Sequence, residues 1–281
     1  MSTDAVLPEP VPEHLFTPDA TSAEQVRAML TILDLQESLP AVQRLRDWTL
    51  DALAPGPGDV AVDVGSGSGT ETRRLASLVG ERGQAIGVEP NAPLRAEAER
   101  RAHNELSTAR FVAGEALALP LDDGSVDVLR CERVLQHLPD PERAVAEFAR
   151  VLAPGGRVGV VDSDWGSAIV RPEGDSRTMA AYREAALSRI RNPHSGRNLP
   201  SLLRAAGLMV DSDVGSSAIV LQGEAVLRAG FIRENAHLAV EHGLLPRDQA
   251  DQLVDSIRAA AEAGEAFFAV TMFAVIGRRL D

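Results

Sequence analysis

Apolar positions recur at helical spacing through residues 22–53. Val26, Met29, Leu30, Leu33 and Leu35 form one series; past a turn at Leu39-Pro40, Val42, Leu45, Trp48, Ala52 and Leu53 share one face of a second helix. Thr21 or Ser22 supplies the cap of the first helix, and Pro55-Gly56-Pro57-Gly58 stops the helical pattern. The period then changes. Asp59–Val64 is a β-branched run that ends in glycines, and residues 70–79 return to helical spacing until Gly80. Gln84–Val88, Arg110–Ala113 and Val126–Cys131 read as further strands, with a helix over 92–103. Asp140-Pro141-Glu142 starts another helix with an N-cap acid, a proline at the first helical position and an acid in the first turn. That helix buries Val145, Phe148 and Leu152 and ends at Pro154-Gly155-Gly156, ahead of a fifth strand at Arg157–Val161.

Strands that alternate with helices predict a parallel sheet covered on both faces and joined by right-handed crossovers. Beyond residue 165 the alternation loosens. Helices are expected near 176–191, 198–206, 223–240 and 247–263, and strands near 209–220 and 266–276. Phe267–Ile276 holds three of the seven phenylalanines and reads as a buried central strand. The last two strands are expected to pair antiparallel, with the two helices between them as an insertion above the sheet. The chain is thus read as one α/β domain with a mostly parallel sheet and an antiparallel final strand. Residues 1–55 form an arm and helical lid, 56–165 a ligand-binding core, and 166–281 substrate-side helices and strands that complete the same sheet.

Composition narrows the functional classes. At 281 residues, with 44% hydrophobic and 25% charged positions, the chain has the makeup of a folded domain with a sizeable core. Twenty-eight basic against 41 acidic residues leave a net charge of −13, which opposes a phosphate backbone, so no nucleic-acid partner is expected. No run reaches the roughly 20 apolar residues of a membrane span, and none is expected to meet a membrane. The acidic, proline-rich start MSTDAVLPEPVPEHLF reads as a loosely held arm without the pattern of a secretory signal. A single cysteine, Cys131, cannot form an internal disulfide and favours a reducing, cytoplasmic setting. No Cys/His cluster has metal spacing, so no metal site is expected. The expected assembly is a monomer or a homodimer.

The chemistry concentrates where the first strand ends, in Asp63-Val64-Gly65-Ser66-Gly67-Ser68-Gly69. Glycines there let the backbone turn sharply and approach a ligand where a Cβ would clash, and ligands of open α/β sheets bind at the carboxyl ends of strands. The second strand ends in Glu89, at the spacing of a carboxylate that accepts both hydroxyls of a ribose. Together these features point to a nucleoside-containing cofactor. The glycine spacing is G-x-G-x-G rather than the G-x-G-x-x-G of dinucleotide sites, and an acid beside the loop suits a ligand with a positive group better than a pyrophosphate.

This stretch resembles motif I of the class I S-adenosylmethionine-dependent methyltransferases, and the resemblance runs through residues 58–163. Gly114-Glu115-Ala116-Leu117-Ala118-Leu119-Pro120 is similar to the family's G-D-A-x-x-L-P segment, Asp123-Gly124-Ser125-Val126-Asp127 to its D-x-S-F-D entry, and Leu152-Ala153-Pro154-Gly155-Gly156 to its L-x-P-G-G turn. Glu115 stands where aspartate is usual, and Val126 replaces the usual aromatic. The resemblance implies a Rossmann-like methyltransferase sheet that binds S-adenosylmethionine and releases S-adenosylhomocysteine. On that reading Asp63 favours the ammonium of the cofactor, directly or through water, and Gly65, Ser66, Gly67 and Gly69 line its methionine part. Glu89 takes the ribose diol. Glu115 and the Ala116 amide read the adenine edge, with Gly114 in the same segment, and Val88, Pro90 and Leu117 sandwich the ring. The backbone around Cys131, Glu132 and Arg133 is implied near the methionine part, and Gln136 and His137 near the transferred methyl.

His137 and His194 are the two candidate bases. The polar stretch Asp162-Ser163-Asp164-Trp165 after the fifth strand reads as a substrate floor; Asp164 and Trp165 there, with Arg191 and Asn192 in the donor-rich loop Arg189–Arg197, are the candidate substrate contacts. The overall layout resembles the small-molecule branch related to quinone-biosynthesis and natural-product methyltransferases. It implies O- or C-methylation of an aromatic, polyketide-like or quinone-like acceptor. A nicotinamide-dependent oxidoreductase is the alternative that the loop spacing disfavours. A non-methylating cyclase or binding protein on the same fold stays open.

Overall fold

In a computed structural model, which describes residue 19, residues 21–228 and residues 231–280, two helices lead into the sheet. They are α1 (Ala23–Ser38) and α2 (Pro40–Leu53). Ser22 caps α1 through a capping box with Gln25, whose side chain returns a bond to the Ser22 amide. The expected proline-rich arm lies outside the described residues. The core then alternates as β1 (Val60–Val64), α3 (Thr70–Val79), β2 (Gln84–Val88), α4 (Ala92–Asn104), β3 (Arg110–Val112), β4 (Val126–Glu132), α5 (Pro141–Val151) and β5 (Leu152–Arg171). It continues as α6 (Ser176–Ser188), α7 (Ser195–Ala205), β6 (Met209–Gln222), α8 (Glu224–Arg228), α9 (Phe231–Glu241), α10 (Arg247–Glu262) and β7 (Phe267–Arg278). Among the described residues no helix is long and apolar enough to cross a membrane.

The seven strands form one sheet in the order β3-β2-β1-β4-β5-β7-β6. β1 to β5 pair in parallel, and β7 runs antiparallel to both β5 and β6. The order reverses beside β1, where β2 lies on one side and β4 on the other, so the carboxyl ends of β1, β2 and β4 open onto a common crevice. One face of the sheet buries Val62, Leu129 and Val160 against Phe148 of α5 and Leu199 and Leu203 of α7. The other buries Ala61, Ala85 and Val128 against Leu50 and Leu53 of α2 and Leu75 and Val79 of α3. Successive residues of β1 thus point into opposite cores, the reason its sequence is apolar without alternation.

Several boundaries depart from the sequence expectation: α5 stops at Val151, so that Leu152 opens β5, and α7 begins at Ser195 rather than near residue 198. The fifth strand was expected to end at Val161 but runs to Arg171, because β7 offers it an antiparallel partner beyond the polar Asp162-Ser163-Asp164 stretch. After a register shift between Asp164 and Ile169, Ile169, Val170 and Arg171 pair with Ala269, Phe268 and Phe267. The helix expected over 223–240 is two helices, α8 and α9. Val170 and Phe268 on this extended part of the sheet join Tyr182 of α6, Ile232 of α9 and Leu253 and Ile257 of α10 in a second core. A helical cap therefore has its own apolar anchorage above the carboxyl ends of the strands.

Glycines set how closely α2 approaches the sheet. A Cβ at Gly215 of β6 would sit 2.4 Å from the Trp48 ring, and one at Gly159 of β5 would sit 2.9 Å from Thr49. Gly215→Val is expected to push the indole off β6 and lower the unfolding free energy by about 1–3 kcal/mol, as overpacking typically does. Urea unfolding followed by tryptophan fluorescence measures it, and unchanged stability would show that α2 does not depend on this contact.

Candidate active site

The chain leaves β1 at Val64 and turns through Gly65–Gly69 into α3. Gly65, Gly67 and Gly69 have φ of +74°, +52° and +79°, a region in which any side chain is strained. The space is also taken: a Cβ would meet Val134 Cγ2 at 2.4 Å from Gly65, and the Phe111 ring at 2.6 Å from Gly69. At Gly67 it would lie 3.2 Å from Leu33 Cδ1, so α1 lies over the loop. Thr70 Oγ1 donates to Glu37 Oε2 at 3.0 Å and adds a polar tie between α1 and the start of α3. The amides of Gly65 and Ser66 both donate to the Val88 carbonyl at the end of β2. Ser66 Oγ is buried with no hydrogen-bond partner.

Glu89, the residue after β2, is 6% exposed and faces this loop. Its Oε2 accepts the Gly67 amide at 2.9 Å, and its Oε1 accepts the Asn91 amide at 3.0 Å. Burial pushes its pKa up, while the hydrogen bonds from Asn91 and Gly67 pull the other way. Pro90 follows, half-buried. A Cβ at Gly114 would lie 2.9 Å from Val88, so the 114–117 segment adjoins the end of β2. In that segment Glu115 is exposed, Ala116 buried and Leu117 between the two. These residues fit an adenosyl group. A carboxylate offers about four lone-pair sites; two are used by backbone amides, and two remain for a pair of vicinal hydroxyls. The left-handed glycines beside it leave bare backbone along the path from that diol toward β4.

Asp63 precedes the glycine loop, next to last in β1. It is 2% exposed, with Oδ1 accepting from Arg130 at 2.9 Å and Oδ2 from Thr72 Oγ1 at 2.9 Å. Arg130 bridges on to Glu132 at 2.5 Å, and Glu132 also takes Arg46 of α2 in two bonds, at 2.8 and 3.0 Å, and Arg133 at 2.9 Å. Burial alone would raise the Glu132 pKa, but Arg46, Arg133 and Arg130 together hold it below the carboxylate range. Burial raises Glu71, which stands 3.6 Å from Arg46 in the same cluster. Three guanidinium groups and three carboxylates thus knit α2, β1, α3 and β4 together beneath the glycine loop. Sequence reasoning missed Arg46, Glu71 and Arg130. Its available signal was Arg130, an arginine between Leu129 and Cys131 in an otherwise buried strand. Cys131 itself is fully buried, and burial holds its thiol protonated well above the usual range.

Past β4 the backbone at Arg133 takes a φ of +54° and its amide donates to the Val161 carbonyl at 2.7 Å. A single 3-10 turn, Leu135–His137, follows. Gln136 is held on three sides. Its amide donates to Asp162 Oδ2 at 2.9 Å, its carbonyl accepts from Asn192 at 3.0 Å, and its side-chain oxygen accepts from Trp165 Nε1 at 2.8 Å. Asn192 Nδ2 donates to the carbonyls of Leu135 and Leu138. Asp162 is fully buried and also accepts from Ser195 Oγ at 2.8 Å. Burial lifts its carboxyl to about 7 despite the bonds from Ser195, Ser163 and Gln136. Burial, helped by Arg133, lowers His137 to about 4, so its ring is neutral near pH 7.

A second group gathers on Asp164, which accepts from Arg197, from the Gly166 amide at 3.1 Å, and faces His194 Nδ1 at 3.4 Å. Trp165 joins the groups, since its amide donates to the Pro193 carbonyl at 2.8 Å. The structure therefore brings Gln136, His137, Trp165 and Asn192 into one bonded set, places Asp164 and His194 beside it, and leaves Arg191 exposed. Asp162 and Ser195 lie in the two segments that the sequence marks as substrate-side, and the bond between them is what sequence reasoning did not foresee.

Comparison with known proteins gives a consistent result. The methyltransferase-domain family matches residues 62–160, from β1 through β5. An uncharacterized 37.1 kDa protein in transposon TN4556 of Streptomyces fradiae is 33% identical over 89% of this chain and 71% of its own length. The demethylmenaquinone methyltransferase of Lactobacillus johnsonii is 30% identical over 58% of this chain and 65% of its own length, so the chain spans under two thirds of that relative. A SAM-dependent methyltransferase structure from Aquifex aeolicus superposes with a TM-score of 0.52 at 16% identity, covering 92% of this chain and 98% of that one.

The raised Asp162 carboxyl has a signed consequence. Its ordinary value is 3.8, so between that pH and about 7 the folded chain holds a proton that the unfolded chain releases. The contribution is present at low pH and fades as pH rises. Across pH 5 to 6.5, the stability of the wild type relative to Asp162→Asn should fall by as much as about 1.4 kcal/mol per pH unit, read from urea midpoints. A constant difference between the two proteins would place Asp162 ionised throughout.

Proposed function

We propose that the chain is an S-adenosylmethionine-dependent methyltransferase that methylates a small molecule, at oxygen or carbon, with an aromatic, polyketide-like or quinone-like acceptor. The observation that carries the reading is the Gly67 amide on the Glu89 carboxylate beneath a loop of bare backbone. S-adenosylmethionine, when bound, supplies a methyl group already activated by the sulfonium charge and leaves as S-adenosylhomocysteine. The residues of the chain bind, align and dry the site. Glu89 takes the ribose diol, the Gly65–Gly69 backbone follows the methionine part, and Glu115 with the Ala116 amide meets the adenine. Leu33 and the rest of α1 close over the loop and exclude water. The turn at Gln136-His137 and the residues Trp165 and Asn192 position the acceptor, so that its nucleophile meets the methyl in line.

The acceptor class draws on two supports. The quinone-methylating relative is 30% identical to this chain. The cap of α6, α8, α9 and α10 is anchored in its own apolar core and stands above the strand ends, as a lid for a ring-containing acceptor would.

Titration calorimetry with S-adenosylhomocysteine tests the cofactor half. Wild type should bind, and Glu89→Ala should lose about 1–3 kcal/mol, the scale of hydrogen bonds to a charged group. Gly67→Val should abolish binding while circular dichroism stays native-like. No binding by wild type at millimolar ligand would remove the reading. Transfer of labelled methyl to a panel of hydroxylated aromatics and quinols tests the acceptor half; label in none of them, with cofactor bound, would remove that class.

A further inference from the structure

We infer that Trp165 and Gln136 fix the tautomer of His137 and thereby divide proton chemistry between two histidines: His137 carries its proton on Nδ1 and serves as a donor, while His194, backed by Asp164, keeps its lone pair on Nε2.

The inference follows from what each group is able to do. An indole N–H only donates, so the Gln136 atom 2.8 Å from Trp165 Nε1 must be the carbonyl oxygen of the amide. The other end of that amide, Nε2, is then a donor, and it stands 3.1 Å from His137 Nε2. Two donors facing each other would repel. His137 Nε2 is therefore the acceptor, and the proton of the neutral ring is on Nδ1. The relay has little freedom to turn over. Gln136 is 5% exposed, its amide is held by Asp162 and its carbonyl by the Asn192 amide. The low pKa of His137, from burial and Arg133, agrees with a ring that stays neutral.

His194 is arranged the other way round. Its Nδ1 faces a carboxylate oxygen, Asp164 Oδ1, at 3.4 Å, and attraction there requires a proton on Nδ1. Asp164 is buried and pinned by Arg197 and the Gly166 amide, so the oxygen that orients the ring is itself fixed. With Nδ1 protonated, Nε2 is the basic atom. Of the two candidate bases, the geometry therefore assigns proton removal from the acceptor to His194. With its Nε2 lone pair occupied by Gln136, His137 has none left to remove a proton, and Trp165 and Gln136 act as positioning residues through it. The division of labour deepens the proposed methyl transfer and rests on it; the tautomers themselves do not.

Long-range proton–nitrogen correlation spectra of the uniformly labelled full chain at pH 7.5 read the protonated nitrogen of each imidazole directly. His137→Gln and His194→Gln assign the two rings among the six histidines. Wild type should show the proton on Nδ1 for both. Gln136→Leu and Trp165→Phe should each shift the His137 nitrogens toward an averaged mixture of tautomers and leave those of His194 unchanged. A proton on Nε2 of His137 in wild type overturns the inference, even if neither variant folds. So does a His137 signal unmoved in both variants. The spectra need neither cofactor nor acceptor, so this result fails or holds separately from S-adenosylhomocysteine binding.

Discussion

A carboxylate buried at the end of the second strand organises this molecule. Left without partners, Glu89 would be costly to hold away from water. It is tolerated because two backbone amides donate to it, one from the glycine loop after β1 and one from the start of α4. Those bonds join neighbouring strand ends at the point where strand order reverses. They leave half of the carboxylate's accepting capacity toward the crevice, next to backbone that carries no side chains. The loop needs glycines for its left-handed turns, the carboxylate needs the loop's amide, and a ligand with a diol needs both.

Beneath that surface lies a layer of charge whose purpose is placement more than stability. Buried ion pairs are seldom much better than apolar packing of the same volume. The cluster of Asp63, Glu71, Glu132, Arg46, Arg130 and Arg133 is better understood as a set of directional bonds. Arg46 grips Glu132 with two of them and so fixes α2 against the end of β4, from which the Gln136-His137 turn departs. α1, running into α2 at Pro40, is thereby aimed across the glycine loop. Long-range order in the site comes from these bonds and from the close approach of α2 to glycines in β5 and β6.

The parallel core was legible in the sequence because each of its strands has a run of apolar residues, and each turn has its own chemistry. Asp140-Pro141-Glu142, Gly65–Gly69 and Glu89 announced themselves through capping, φ and spacing. The length of β5 was not legible. Asp162, Ser163 and Asp164 read locally as a stop, and only a partner a hundred residues away makes the strand continue. The ion cluster was hidden for a related reason: Arg46, Glu71 and Arg130 are ordinary surface residue types, and their burial is a property of the packed helices. The bond between Asp162 and Ser195 was hidden because it joins a strand to a helix start 33 positions later. Local pattern reports what a segment prefers, and a pair that forms only on folding leaves little trace in either segment alone.

The proposed chemistry depends on where an adenosyl ligand sits. A crystal structure of the chain with S-adenosylhomocysteine tests it most directly. Both ribose hydroxyls are expected on the Glu89 carboxylate, the methionine part along Gly65–Gly69, and the adenine edge at Glu115 and Ala116. Density for the ligand in another crevice, or a diol held by some other group while Glu89 keeps only its two backbone amides, would contradict it.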